Sequence, residues 1–181
     1  MKVLLALDGT RTGEPAAEAI AGWAKSTGSE IILYSVLHPK ELRATVSEPR
    51  FAHTITPQGT TSGQILHGVR PPDAVIAEDR TQALTRAHVE REEYLKSLAS
   101  RLFDGVSVSV RVGDGADSAG SIVSTAAAEG VDFIAMATRG RSALGQAMFG
   151  AVHEDVVRKA RVPVLLVGPG VLQLAGPVDV D

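Results

Sequence analysis

The chain has 181 residues, 44% of them hydrophobic and 4% aromatic, with a formal net charge of −3 and no cysteine. That length, with a mean hydropathy of +0.10, describes a globular chain whose core is built mainly from Ala, Val and Leu rather than a disordered one. The charge balance and the lack of a dense basic run argue against a dedicated nucleic-acid binder, and the lack of cysteine excludes a disulfide scaffold, a thiolate zinc site and a thiol nucleophile.

Short apolar runs alternate with helical patterns, the signature of βαβ units and a parallel sheet. Val3–Leu7 reads as the first strand. It is too short for a signal-peptide core, and no apolar run reaches the roughly 20 residues of a bilayer span, so a cytoplasmic protein with no membrane partner is expected. Thr12 is the expected cap of the first helix, with Pro15 in its first turn, Ala16, Ile20, Trp23 and Ala24 at helical spacing, and Gly28 at its end. Glu30–Val36 is the second strand. Residues 38–75 then form a long loop insertion, with Pro39, Pro49, Pro57, Pro71 and Pro72 among glycines and hydroxyl residues, and no core of its own.

A helix beginning near Asp73 or Ala77 runs to Leu102, with Leu84, Ala87, Tyr94, Leu95, Leu98 and Leu102 on one face and the charges of Glu90–Lys96 on a solvated one. Val106–Val112 alternates with period two and reads as an edge strand. The following Gly113-Asp-Gly-Ala-Asp-Ser118 is a near miss of a dinucleotide fingerprint, but it follows the third strand, and Asp114 and Asp117 would repel a pyrophosphate. It reads instead as a turn in which Asp117 or Ser118 caps the next helix, whose apolar face is Ile122, Val123, Ala126 and Ala127. Val131–Ala137 is a continuous apolar strand, Met148, Val152, Val156 and Ala160 mark the last helix, and Pro163–Val167 is the fifth strand. Residues 1–168 are expected to form one domain, with 169–181 as a tail.

Strands joined by crossover helices in this way fold as an α/β, doubly wound, Rossmann-like parallel sheet of five strands, and right-handed crossovers put its crevice between the first and fourth strands if the order is 3-2-1-4-5. Ligands of such sheets bind at the carboxyl ends of the strands where the order reverses, here between Leu7-Asp8-Gly9 and Met136-Ala137-Thr138. Gly140 and Gly150 bracket the connection from the fourth strand to the last helix. Residues without Cβ let amide groups approach a phosphate, and a helix start favours an anion.

Three segments together resemble the universal stress protein family. Val3-Leu-Leu-Ala-Leu-Asp-Gly-Thr10 is similar to its opening strand and acidic turn, Gly130–Ser142 to its fourth strand and phosphate loop, and Gly150–Val167 to its last helix and dimer strand. The resemblance implies an adenine-nucleotide-binding module in stress response or signalling, taking ATP or another adenine nucleotide, with or without Mg²⁺, and hydrolysing it slowly or not at all. It further implies a homodimer through Val164–Val167. Asp8 would accept a hydrogen bond from the adenine amino group, Ala6 and Val36 would contact base and ribose, and Met136 and Ala137 would flank the ribose. Gly140, Arg141 and Ser142 would meet phosphates, joined by Gly150, Ala151 and Val152. The nucleotide-binding branch of that family has the pattern Gly-x-x-Gly-x9-Gly-Ser/Thr. Gly140 and Gly150 match it, whereas Ala137 adds a methyl and Ala151 removes a hydroxyl that would bond a phosphate. Those departures favour the alternative, a nucleotide-independent dimeric interaction protein on the same fold.

Other chemistry finds little support in the sequence. None of the 5 histidines has metal-ligand spacing to another. His153 is followed by Glu154 and Asp155, but neighbours on a helix do not face one another, so His153 is expected at the surface. No Gly-x-Ser-x-Gly or Walker sequence is present, and no nucleophile–base pair suggests itself.

Overall fold

The computed structural model describes residues 1–39, 80–138 and 150–168. The 38–75 insertion therefore lies almost wholly outside the described residues, as do the segment carrying Gly140, Arg141 and Ser142 and the 169–181 tail. The elements are β1 (Lys2–Ala6), a 3₁₀ turn (Arg11–Gly13), α1 (Glu14–Thr27), β2 (Glu30–Leu37), α2 (Arg80–Leu102), β3 (Val108–Asp114), α3 (Ser118–Glu129), β4 (Phe133–Ala137), α4 (Ala151–Lys159) and β5 (Val164–Val167).

The strands form one parallel sheet in the order β3-β2-β1-β4-β5, as the sequence predicts. Continuous apolar runs occupy its centre because parallel strands covered on both faces have no solvent side. Residues 3–6 of β1 and 31–37 of β2 are buried throughout. Alternation along β1 divides the core. Val3, Leu5 and Leu7 face α1 and α2, with Ile20, Leu95, Leu98 and Phe103, while Leu4 and Ala6 face α3 and α4, with Ile122, Ala126 and Val156. Trp23 of α1 meets Phe133 edge-on, with ring centroids 5.3 Å apart.

Two local expectations are corrected. Thr12 does not cap the first helix: it lies in the 3₁₀ turn, and Gly13 is the N-cap of α1. Gly13 is buried where a Cβ would lie 3.2 Å from Leu7 Cδ2 and 3.7 Å from the Ala137 methyl, so the turn packs directly on the ends of β1 and β4. The third strand starts two residues later than expected and takes in Gly113 and Asp114, because β2 is long enough to pair as far as Leu37↔Asp114. The first helical turn after it is capped by Asp117, whose Oδ1 accepts from Gly120 N–H at 2.8 Å.

Candidate functional site

The sheet order reverses between β1 and β4, so their carboxyl ends flank the crevice that the fold leaves for a ligand. Ala6 and Met136 are register partners across it, and Ala6 pairs with Tyr34 on its other side. Ala6, Val36 and Met136 belong to one cluster and are only 8%, 9% and 4% exposed, so their side chains make a packed floor.

Asp8 follows β1 and is exposed. Its Oδ1 accepts from Thr10 N–H at 2.9 Å and from the Thr10 hydroxyl at 2.6 Å, the geometry of a turn closed by its own carboxylate. Gly9 has φ +76°, which only glycine adopts without strain, and a Cβ there would fall on the Arg91 guanidinium. Arg91 reaches this turn from α2. Its Nη1 donates to the Asp8 carbonyl at 3.1 Å and to Ser35 Oγ at 2.6 Å, and Ser35, 1% exposed, donates onward to the Leu7 carbonyl at 2.8 Å. Tyr94, one turn further along α2, lies 3.3 Å from the Thr10 carbonyl. Burial, then the nearby Glu14 and Asp8 carboxylates, raise the pKa of its phenol, which keeps the hydroxyl a donor.

Sequence reasoning put Arg91 on the solvated face, and the structure corrects this: it is half-buried at the mouth of the crevice. The signal was present in the spacing. Arg91 lies four residues after Ala87 and four before Leu95, inside the apolar stripe of α2, where a charge needs a partner.

On the other side of the crevice, β4 ends at Ala137 and α4 starts after Gly150. His153 joins the two, with Nε2 2.8 Å from the Ala137 carbonyl. A carbonyl only accepts, so Nε2 carries the hydrogen, and the opposite atom, Nδ1, is buried with no hydrogen-bond partner among the described residues. His153 is therefore half-buried and tied to β4, not a surface residue as its neighbours suggested. Asp155 instead pairs with Arg158 at 3.6 Å.

Gly150 is the N-cap of α4, with φ −73° and ψ 160° and no side-chain cap. Its carbonyl accepts from His153 N–H at 2.9 Å and Glu154 N–H at 3.3 Å. The amides of Ala151 and Val152 precede these bonds, in the turn where a helix presents N–H groups outward. A Cβ at Gly150 would meet only His153 Nδ1, at 3.7 Å, so neither backbone nor packing among the described residues requires glycine there. Ala151 and Val152 are both exposed. The Ala137 methyl packs on the α1 side of the sheet, the face opposite to the one that α4 covers. It therefore does not fill the mouth of that helix.

The structure thus brings Ala6, Asp8, Val36 and Met136 to one set of strand ends and joins Ala137 to the start of α4 with Gly150, Ala151 and Val152. Gly140, Arg141 and Ser142 lie outside the described residues. Among the described residues, no group of His, Asp and Glu is placed to hold a metal ion, and no helix is long and apolar enough to cross a membrane.

Known proteins share this fold. The stress response protein NhaX of Bacillus subtilis (strain 168) is 26% identical over 170 residues, covering 92% of this chain and 96% of its own. The solved structure of hypothetical protein MJ0577 matches with a TM-score of 0.64 at 23% identity, over 92% of this chain and 94% of that one. A universal stress protein in complex with cAMP matches with a TM-score of 0.52 at 15% identity, over 93% and 97%. These structural likenesses establish the fold, and the universal stress protein family itself matches residues 64–168, more than half of the chain, which therefore belongs to that family.

Proposed function

We propose that this chain is an adenine-nucleotide-binding module in stress response or signalling, acting through binding rather than turnover. The observation that carries the reading is the pairing of two features at one switch point: an acidic turn at the end of β1, and a helix start with a glycine N-cap, tied to the end of β4 by His153. In this reading Asp8 accepts from the adenine amino group above the floor of Ala6, Val36 and Met136. Ala137 flanks the ribose, and the amides of Ala151 and Val152 meet phosphate. Gly140, Arg141 and Ser142 complete the phosphate contacts. The glycine at position 150, which packing among the described residues does not demand, supports close approach of a ligand. The relative solved with cAMP supports an adenine ring as the organic part. ATP or another adenine nucleotide is the proposed ligand, with Mg²⁺ carried by a polyphosphate.

We also propose that this chain forms a homodimer through β5. Leu165 of β5 and Val157 of α4 are 45% and 53% exposed, and the strand Val164–Val167 carries no charge to discourage pairing. The site is tested by titration calorimetry with ATP, ADP and AMP, with and without Mg²⁺. Submillimolar binding is expected, lost in Asp8→Ala and in Gly150→Leu. Flat traces from an intact dimer would leave the nucleotide-independent interaction protein, which the missing hydroxyl at Ala151 favours.

A further inference from the structure

We propose that Arg91, seated on Ser35, is a positioning residue that fixes the Asp8 carboxylate and thereby sets which base the crevice accepts; the selectivity part rests on the nucleotide reading above. The backbone ladder between β1 and β2 stops just short of Asp8. Its last register pair is Ala6↔Tyr34, and Leu7 N–H adds one more bond to the Tyr34 carbonyl at 2.9 Å. Beyond that point the chain is held to β2 and α2 by side chains. Ser35 donates to the Leu7 carbonyl, Arg91 donates to both Ser35 and the Asp8 carbonyl, and the guanidinium lies against Gly9 where any larger residue would displace it. Successive carbonyls on either side of the Asp8 amide are thus both clamped, and the Asp8 side chain is closed onto Thr10.

A turn needs no such apparatus merely to reverse the chain, since the Asp8–Thr10 bonds and a glycine at positive φ already do that. Half-burying a guanidinium in an apolar stripe is costly, and one donor group spanning two elements is what fixes the direction of a third group. A carboxylate held in one direction discriminates a base bearing an amino donor from one bearing a carbonyl. A loosened carboxylate rotates away, lets water take its place and treats the two alike.

The test compares ATP with inosine triphosphate, whose base carries oxygen in place of the amino group, by calorimetry on the full chain and on Arg91→Ala, Arg91→Lys and Ser35→Ala. The parent is expected to prefer ATP. Arg91→Ala should weaken ATP about tenfold and bring the two affinities together, Ser35→Ala should move the same way, and Arg91→Lys should restore part of the preference. Equal weakening of both nucleotides, with the ratio kept, would mean a merely structural role and would overturn the proposal. Amide hydrogen exchange on the nucleotide-free protein gives a second reading. The Thr10 amide should exchange at least tenfold faster in Arg91→Ala while Val3–Leu5 stay unchanged; an unchanged Thr10 overturns the positioning role. A parent chain that ignores ATP while Thr10 still responds would overturn the nucleotide reading and the selectivity with it, leaving Arg91 as the anchor of the turn alone.

Discussion

Two alanines stand at positions where the family pattern has glycine and a hydroxyl residue, and the structure separates their effects. The Ala137 methyl lies on the α1 side of the sheet beside Gly13, away from the start of α4. Ala137→Gly is therefore expected to cost about 0.5–1 kcal/mol of stability, read by denaturant titration, because glycine has more freedom to lose in a strand. Ala151 is exposed at the first position of α4, where the proposed phosphate contact would use the missing group. A hydroxyl bonded to a charged phosphate is worth about 1.5–3 kcal/mol. Ala151→Ser is accordingly expected to tighten ATP binding by roughly tenfold to a hundredfold in calorimetry. Both residues were legible in the sequence, because a motif specifies residue types. The direction of the Ala137 methyl was not, because it depends on the face of β4 that position 137 takes.

At the scale of elements, α3 and α4 are coupled through Asp117. Its carboxylate caps α3 by accepting from Gly120 N–H and lies 3.2 Å from Lys159 Nζ at the end of α4. The amide bond first, and Lys159 after it, hold its pKa below the ordinary aspartate value of 3.8. A carboxyl whose folded-state pKa is depressed stabilises the fold fully above the unfolded value and loses that contribution as pH falls through the folded one. Asp117→Ala is therefore expected to lower the melting temperature at neutral pH, with the difference from the parent closing as pH drops below the ordinary carboxylate range. The cap was readable from the Asp-Ser pair ahead of an apolar face, because capping chemistry is local. The ion pair with Lys159 was not, because 42 residues separate its partners.

For the whole molecule, the two sheet edges differ. β3 carries exposed Arg111 in its middle and Asp114 at its end, the charges that keep an edge from pairing with another chain. β5 has none, and Val152, Val157 and Leu165 add exposed apolar surface on and beside it. If β5 is the dimer strand, Leu165→Asp should sediment as a monomer at a micromolar concentration where the parent is a dimer, since pairing would then bury two like charges. A dimer unaffected by the aspartate would move the contact to another face.

The sequence by itself determined the number, type and order of the elements and the end of the sheet where a ligand site belongs. Apolar period, capping residues and crossover handedness are local or nearly local, and together with the family resemblance they point to the order that the five-stranded sheet has. Tertiary structure alone decided what grips the two sides of the crevice. Arg91 comes to Asp8 across 83 residues, and His153 to Ala137 across 16. Each looked solvated because its sequence neighbours are charged. Which side chain reaches which carbonyl is set by how two helices dock on opposite faces of the sheet, and that docking follows from the packing of the core rather than from any pattern along the chain.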